Sequence, residues 1–225
     1  MIIEMTGLPG AGKTYLGNAF VELMKSKNIA AVNWVNMRRT SIVYKAMCKA
    51  IRCFTHIIPS CIEYRKNLRN ILKNHLSATA IYSKASISTY IDNIVEYTSL
   101  YKKYQYKKKI LVFDEGIIQQ LVNIIVNFSL SETEKKELFL AIKSEMFSCV
   151  YLKIGINEAI ESIISRNRHV CTIDELRGEE LNQFLIKYEA VCDLCTERMH
   201  SVELYRNDSI EKNMKLLYKL YKARR

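Results

Sequence analysis

The sequence predicts an α/β fold: a three-layer sandwich whose five-stranded parallel sheet has helices on both faces and a helical insertion between strands two and three. Three observations predict it. Short apolar runs alternate with longer stretches of helical spacing along the whole chain. One of those runs, Ile110–Phe113, is apolar at every position, as expected of a strand covered on both sides. Four of the seven glycines, Gly7, Gly10, Gly12 and Gly17, crowd into the junction between the first strand pattern and the first helix pattern.

Each element has its own signal. Ile2–Thr6 reads as the first strand, and 13–27 as a helix with Leu16, Ala19, Phe20, Leu23 and Met24 on one face. Residues 29–35 form the second strand pattern. From 37 to 108 the spacing is helical almost throughout, with Pro59 as its break, which predicts an insertion packed beside the sheet. After the third strand come helix patterns at 117–128 and 132–145; Ser131 with Glu134 three residues on is a capping-box pair for the second. Residues 148–154 and 201–205 supply strands four and five, and 157–167, 175–198 and 210–224 the remaining helices. No repeat or low-complexity linker divides the chain, so 1–225 reads as a single domain.

Composition narrows the function. The 225 residues are 49% hydrophobic with two prolines, which excludes a disordered tail. The longest uncharged window, 116–131, is interrupted by Gln119, Gln120, Asn123 and Asn127 and is too short to span a bilayer. The first residues lack the basic flank of a secretion signal, and seven scattered cysteines suit reduced thiols, so a cytoplasmic protein is expected. Cys192 and Cys195 are read as core positions of a helix rather than a metal or redox pair. The formal net charge of +11 is uneven: between Arg38 and Lys73, nine Lys or Arg face the single acid Glu63. That excess predicts an anionic visitor.

Gly7-Leu8-Pro9-Gly10-Ala11-Gly12-Lys13-Thr14 matches G-x-x-x-x-G-K-[ST] in full, between a strand and a helix as that pattern requires. Backbone amides must wrap a phosphate closely, and a side chain on the inner curve would block them; hence the glycines. The following helix aims its unpaired amides and positive end at the same anion. Gly7 to Tyr15 therefore form the candidate nucleotide-binding segment. Lys13 contributes charge at the outer phosphates, and the Thr14 hydroxyl suits Mg²⁺. Asp114, at the end of the third strand, is the candidate carboxylate for the same ion. Glu115 is open among three roles: water-activating base, acceptor-side base, or cap of the next helix.

GLPGAGKTYL, ILVFDEG and VYLKIGINEAIESIISRNR together resemble the P-loop NTPase fold, and within it the nucleotide and nucleoside kinase group, nearest to thymidylate-kinase-like proteins. The resemblance implies ATP and Mg²⁺ as cofactors and a lid over 165–180. It makes Arg166 and Arg168 lid arginines that meet charge on the transferred phosphoryl group, with His169 beside them and Arg177 a further candidate. It places residues 206–209 against the adenine. The N-K-x-D string of regulatory GTPases does not occur, and the few remaining glycines, Gly116, Gly155 and Gly178, do not form a transporter signature.

The acceptor side departs from that group. A nucleoside kinase carries an acid at the end of strand two; this chain has Arg38 and Arg39 there, suited to gripping an acceptor that already bears phosphate. Lys45, Lys49 and Arg52, and Arg65, Arg69 and Lys73, each recur at helical steps and are read as basic faces within the 37–108 acceptor-binding insertion. Tyr101, Tyr104 and Tyr106 among lysines are the nucleic-acid-like feature, read chiefly as a helix end. The expected function is an ATP- and Mg²⁺-dependent small-molecule kinase with an anionic acceptor. The alternative is a nucleotide-switched ATPase that engages a polyanion, nucleic acid or a membrane surface. Monomer or homodimer is left open.

Overall fold

The computed structural model describes residues 1–34, 41–105, 107–142, 144–166 and 172–224, with Tyr44 by its backbone alone. The expectations placed on Arg38, Arg39, Tyr106, Arg168 and His169 lie outside these residues. Five strands and nine longer helices occur among them: β1 (Ile2–Thr6), α1 (Lys13–Ser26), β2 (Ala31–Asn33), α2 (Ile42–Thr55), α3 (Pro59–Ile71), α4 (Ile87–Tyr104), β3 (Ile110–Phe113), α5 (Ile117–Asn127), α6 (Glu132–Ala141), β4 (Ser148–Lys153), α7 (Ile156–Ser165), α8 (Gly178–Arg198), β5 (Val202–Tyr205) and α9 (Ile210–Ala223).

The strands form one parallel sheet in the order β2-β3-β1-β4-β5. From β1 the chain runs to one side of the sheet, and from β3 it crosses to the other. The crevice of such a sheet opens where that direction reverses, at the carboxyl ends of β1 and β3. Ile2, Ile3 and Glu4 pair with Leu111, Val112 and Phe113, so the glycine loop and Asp114 leave neighbouring strands side by side.

Strand alternation decides which helix meets which face. Gly17 of α1 lies over the side chains of Met5, Asn33 and Val112, so these point to the α1 face, where α9 also packs. Glu4, one residue from Met5, points to the opposite face, covered by α4, α5 and α8. Trp34, Tyr97 and Tyr101 close on Phe113, with ring centroids 5.7, 5.8 and 4.9 Å away.

Several elements differ from the sequence-based expectation. The buried stripe of α1 is Leu16, Gly17, Phe20, Val21 and Met24, so it is rotated towards Val21, and Ala19 and Leu23 are half-buried. Pro59 breaks the insertion as expected, at the first turn of α3, but a second break separates α3 from α4. There the backbone of Ile81 and Tyr82 hydrogen-bonds to Asn127, backbone to backbone at 3.3 Å and to its side chain at 2.8 Å, and Ser86 caps α4. The 132–145 pattern is helical only to Ala141; the Ser131–Glu134 capping box is present. Residues 175–198 become α8 only from Gly178, after a short turn at Thr172–Glu175. Cys192 and Cys195 are fully buried on α8, the packing role their spacing predicts.

Candidate active site

The site begins with the backbone. Gly7, Gly10 and Gly12 have φ of +145°, +95° and +92°, values that side-chain-bearing residues rarely adopt. At Gly7 a Cβ would also lie 2.4 Å from the carbonyl oxygen of Leu152 in β4. The turn delivers the chain into α1, whose first turn has no side-chain cap and no acid. Its amides and its positive end are thus directed at the loop.

Three side chains converge there. The Lys13 ammonium donates to the carbonyls of Gly7 and Leu8 at 2.8 and 3.0 Å, which lays it across its own loop. Burial pushes its pKa down from the usual lysine value; the carboxylates of Glu115 and Asp114 oppose that, and Arg166 adds to it. The Thr14 hydroxyl donates to the Asp114 carboxylate. The other Asp114 oxygen, Oδ1, is buried with no hydrogen-bond partner. A buried carboxylate oxygen in that condition is costly unless something charged or hydrogen-bonding completes it. One carboxylate and one hydroxyl are hard oxygen donors of the kind Mg²⁺ takes alongside substrate phosphate oxygens.

The far side of the loop is held by α7 and by the segment after β5. The Gly10 carbonyl accepts from Ser162 Oγ at 3.1 Å and from the Arg206 guanidinium at 2.8 Å. Arg166, at the end of α7, donates to Ser162 Oγ at 3.4 Å and is near enough to Lys13 to influence its charge. The structure therefore brings Arg166 and Arg206 to the loop; Arg206, which the resemblance placed against the adenine, here braces the Gly10 carbonyl. It does not bring Arg177, whose guanidinium donates to the nearby carbonyls of Asp174 and Leu176. Tyr15 is 71% exposed, outside the curve of the loop.

Sequence reasoning missed Glu4. Its carboxyl accepts from the Ile117 and Ile118 amides at 2.8 Å each and from the Tyr101 hydroxyl at 2.6 Å, capping α5 from inside the sheet. Burial raises its pKa to about 7. Glu4 thus takes the first two amides of α5, while Glu115 is exposed and close enough to Lys13 to influence its charge. An acid in the middle of an otherwise apolar strand was the available signal.

The insertion corrects two further expectations. Arg65 does not share an exposed basic face with Arg69 and Lys73. It is buried, donating to Asp92 at 2.7 Å and to the Thr55 carbonyl at 3.0 Å. Lys73 lies beyond the end of α3. Arg52 turns from the Lys45/Lys49 row to the buried Glu96, 2.9 Å away, and to Asn93, which in turn donates to Gln120 of α5. Tyr101 is a core residue bonded to Glu4, and Tyr104 packs on Trp34, so neither forms an exposed stacking surface for nucleic acid.

No protein-family model matches the chain, and no curated protein matches it in sequence. Solved structures do match it in shape. Deoxyadenosine kinase from M. mycoides with bound dATP is 16% identical, with 99% of this chain and 100% of that chain covered and a TM-score of 0.50. Shikimate kinase from Acinetobacter baumannii in complex with shikimate is 15% identical, covering 99% and 93%, at 0.51. The YorR protein of Bacillus subtilis in complex with phosphorylated GDP is 10% identical, covering 99% and 96%, at 0.50. With the sheet order, these likenesses establish the architecture: the chain shares with these structures a three-layer α/β sandwich around a parallel sheet, with the glycine loop leaving its central strand.

Proposed function

We propose that this protein is an ATP- and Mg²⁺-dependent phosphotransferase of the thymidylate-kinase-like kind, acting on a small anionic acceptor in the cytoplasm. The observation that carries the reading is the Thr14–Asp114 contact with its unpartnered buried Oδ1, set beside Lys13 and the uncapped start of α1. The dATP bound by the deoxyadenosine kinase neighbour and the shikimate bound by shikimate kinase support a nucleotide donor and a small acceptor.

In this reading the amides from Gly7 to Thr14 hold the phosphate chain. Lys13 gives up the Gly7 and Leu8 carbonyls to take the outer phosphates. Thr14 and Asp114 would hold Mg²⁺, which supplies charge neutralisation when bound. Arg166 and Arg168 reach the transferring group from the lid over 165–180. Arg206 and Ser162 keep Gly10 in place so that the loop amides stay aimed. Arg38 and Arg39 receive an anionic acceptor. The acceptor oxygen forms a bond to the γ-phosphorus as the bridge to the β-phosphate breaks. The transition state is loose, so position and charge supply most of the rate enhancement.

The experiment is incubation of protein, Mg²⁺ and γ-labelled ATP with a panel of nucleosides, nucleotides and phosphorylated sugars. Label transferred to an acceptor supports the kinase. Label appearing only as free phosphate supports the alternative ATPase and removes the transferase reading.

A further inference from the structure

The helix that opens the insertion is amphipathic in an unusual sense, because its outward face is apolar. Cys48 and Thr55 are its buried contacts with the body of the protein. On the opposite side Ile42 is 83%, Val43 74% and Phe54 60% exposed, with the small residues Ala46 and Ala50 between them. The turn into α3 extends this surface with Ile57, 70% exposed. A contiguous apolar surface of this kind on a folded protein marks an interaction site. Lys45 and Lys49, both exposed, border it along one edge. No Asp or Glu occurs anywhere between Glu22 and Glu63.

We infer that α2 and the turn after it dock on an anionic lipid surface. The helix lies in the plane of the interface with Ile42, Val43, Phe54 and Ile57 at the acyl boundary, and Lys45 and Lys49 among acidic headgroups. Charge selects this occupant over a second copy of the chain. A two-fold contact through α2 would bring the lysine edges of both copies into one interface, with no acid on the helix to offset them. Membrane docking is independent of the proposed phosphotransfer and goes beyond it: it concerns where the protein sits, through residues that do not line the phosphate loop. No helix among the described residues is long and apolar enough to cross a membrane, so the contact is peripheral.

The test is co-sedimentation of the full chain with vesicles of phosphatidylglycerol mixed into phosphatidylcholine, against phosphatidylcholine alone, at low and high salt. Two double variants accompany it, Phe54→Ser with Ile57→Ser and Lys45→Gln with Lys49→Gln, each checked for an unchanged melting temperature. The expected result is binding to the acidic vesicles alone, weakened by salt, and reduced at least tenfold in both variants. Failure to bind acidic vesicles overturns the inference, as does equal binding to neutral ones or undiminished binding by the lysine variant. A dimer in light scattering that the Phe54/Ile57 variant dissociates also overturns it, since a second copy then covers the face. If the apolar variant melts early, the lysine variant decides. None of these readings uses nucleotide, so its failure is separable from failure of the kinase reading.

Discussion

Thr14, in the first turn of α1, donates its hydroxyl to Asp114 at the end of β3, although 100 residues separate them in sequence. The parallel pairing of β1 with β3 creates this contact by starting both loops from neighbouring strand ends. It leaves Asp114 Oδ1 buried and unpartnered, directed at no protein donor among the described residues.

Asp114→Asn is expected to abolish the gain in ATP affinity that Mg²⁺ provides, because the amide keeps the shape and loses the charge. Titrations of wild type and variant with and without Mg²⁺ measure this. Equal Mg²⁺ enhancement in both would remove Asp114 from the metal site.

Gly116→Ala is expected to destabilise the fold by roughly 1–3 kcal/mol, the usual range for overpacking. The new methyl would lie 2.4 Å from the Glu4 carboxyl carbon and 2.6 Å from the Tyr101 hydroxyl. Denaturant unfolding checks it, and a variant as stable as wild type would show that the Glu4 cap yields at no cost.

Glu4 makes stability depend on pH. Its folded pKa, about 7, lies above the ordinary carboxyl value of 4.5, so the folded state holds the proton more tightly than the unfolded chain. Its contribution is fully present below about pH 4.5 and is lost as pH rises through 7, on the order of 3 kcal/mol in all. Glu4→Gln should flatten that slope. Unfolding free energies at intervals from pH 4.5 to 8 test it, and parallel curves for the two proteins would contradict it.

Arg65→Met is expected to cost roughly 2–4 kcal/mol, because Asp92 and the Thr55 carbonyl lose a buried donor. Asp92 is partly solvated, which keeps the loss below that of a fully buried pair. Thermal and denaturant unfolding measure it; a neutral result would return Arg65 to the surface.

The architecture was legible because its signals are local. The continuous apolar run at Ile110–Phe113, the glycine loop and the Ser131–Glu134 box each specify their element within a few residues. What escaped depends on partners distant in sequence. Arg65 looks like part of a basic row until α4 supplies Asp92, and the gap before α4 looks helical until Asn127 takes its backbone. Glu4 was visible as an anomaly, but its meaning required the start of α5. The Ser162–Gly10–Arg206 bracing was not legible either, since it joins α7 and the end of β5 to the loop.

The central claim is that the amides from Gly7 to Thr14 and the Lys13 ammonium bind a nucleoside triphosphate. Calorimetric titration of the folded wild-type protein and of Lys13→Ala with ATP and Mg²⁺ tests it. The predicted result is saturable heat for the wild type and affinity lower by a hundredfold or more in the variant, roughly the worth of one charged donor at a phosphate. Absence of heat with every purine triphosphate, in protein that melts cooperatively, would contradict it.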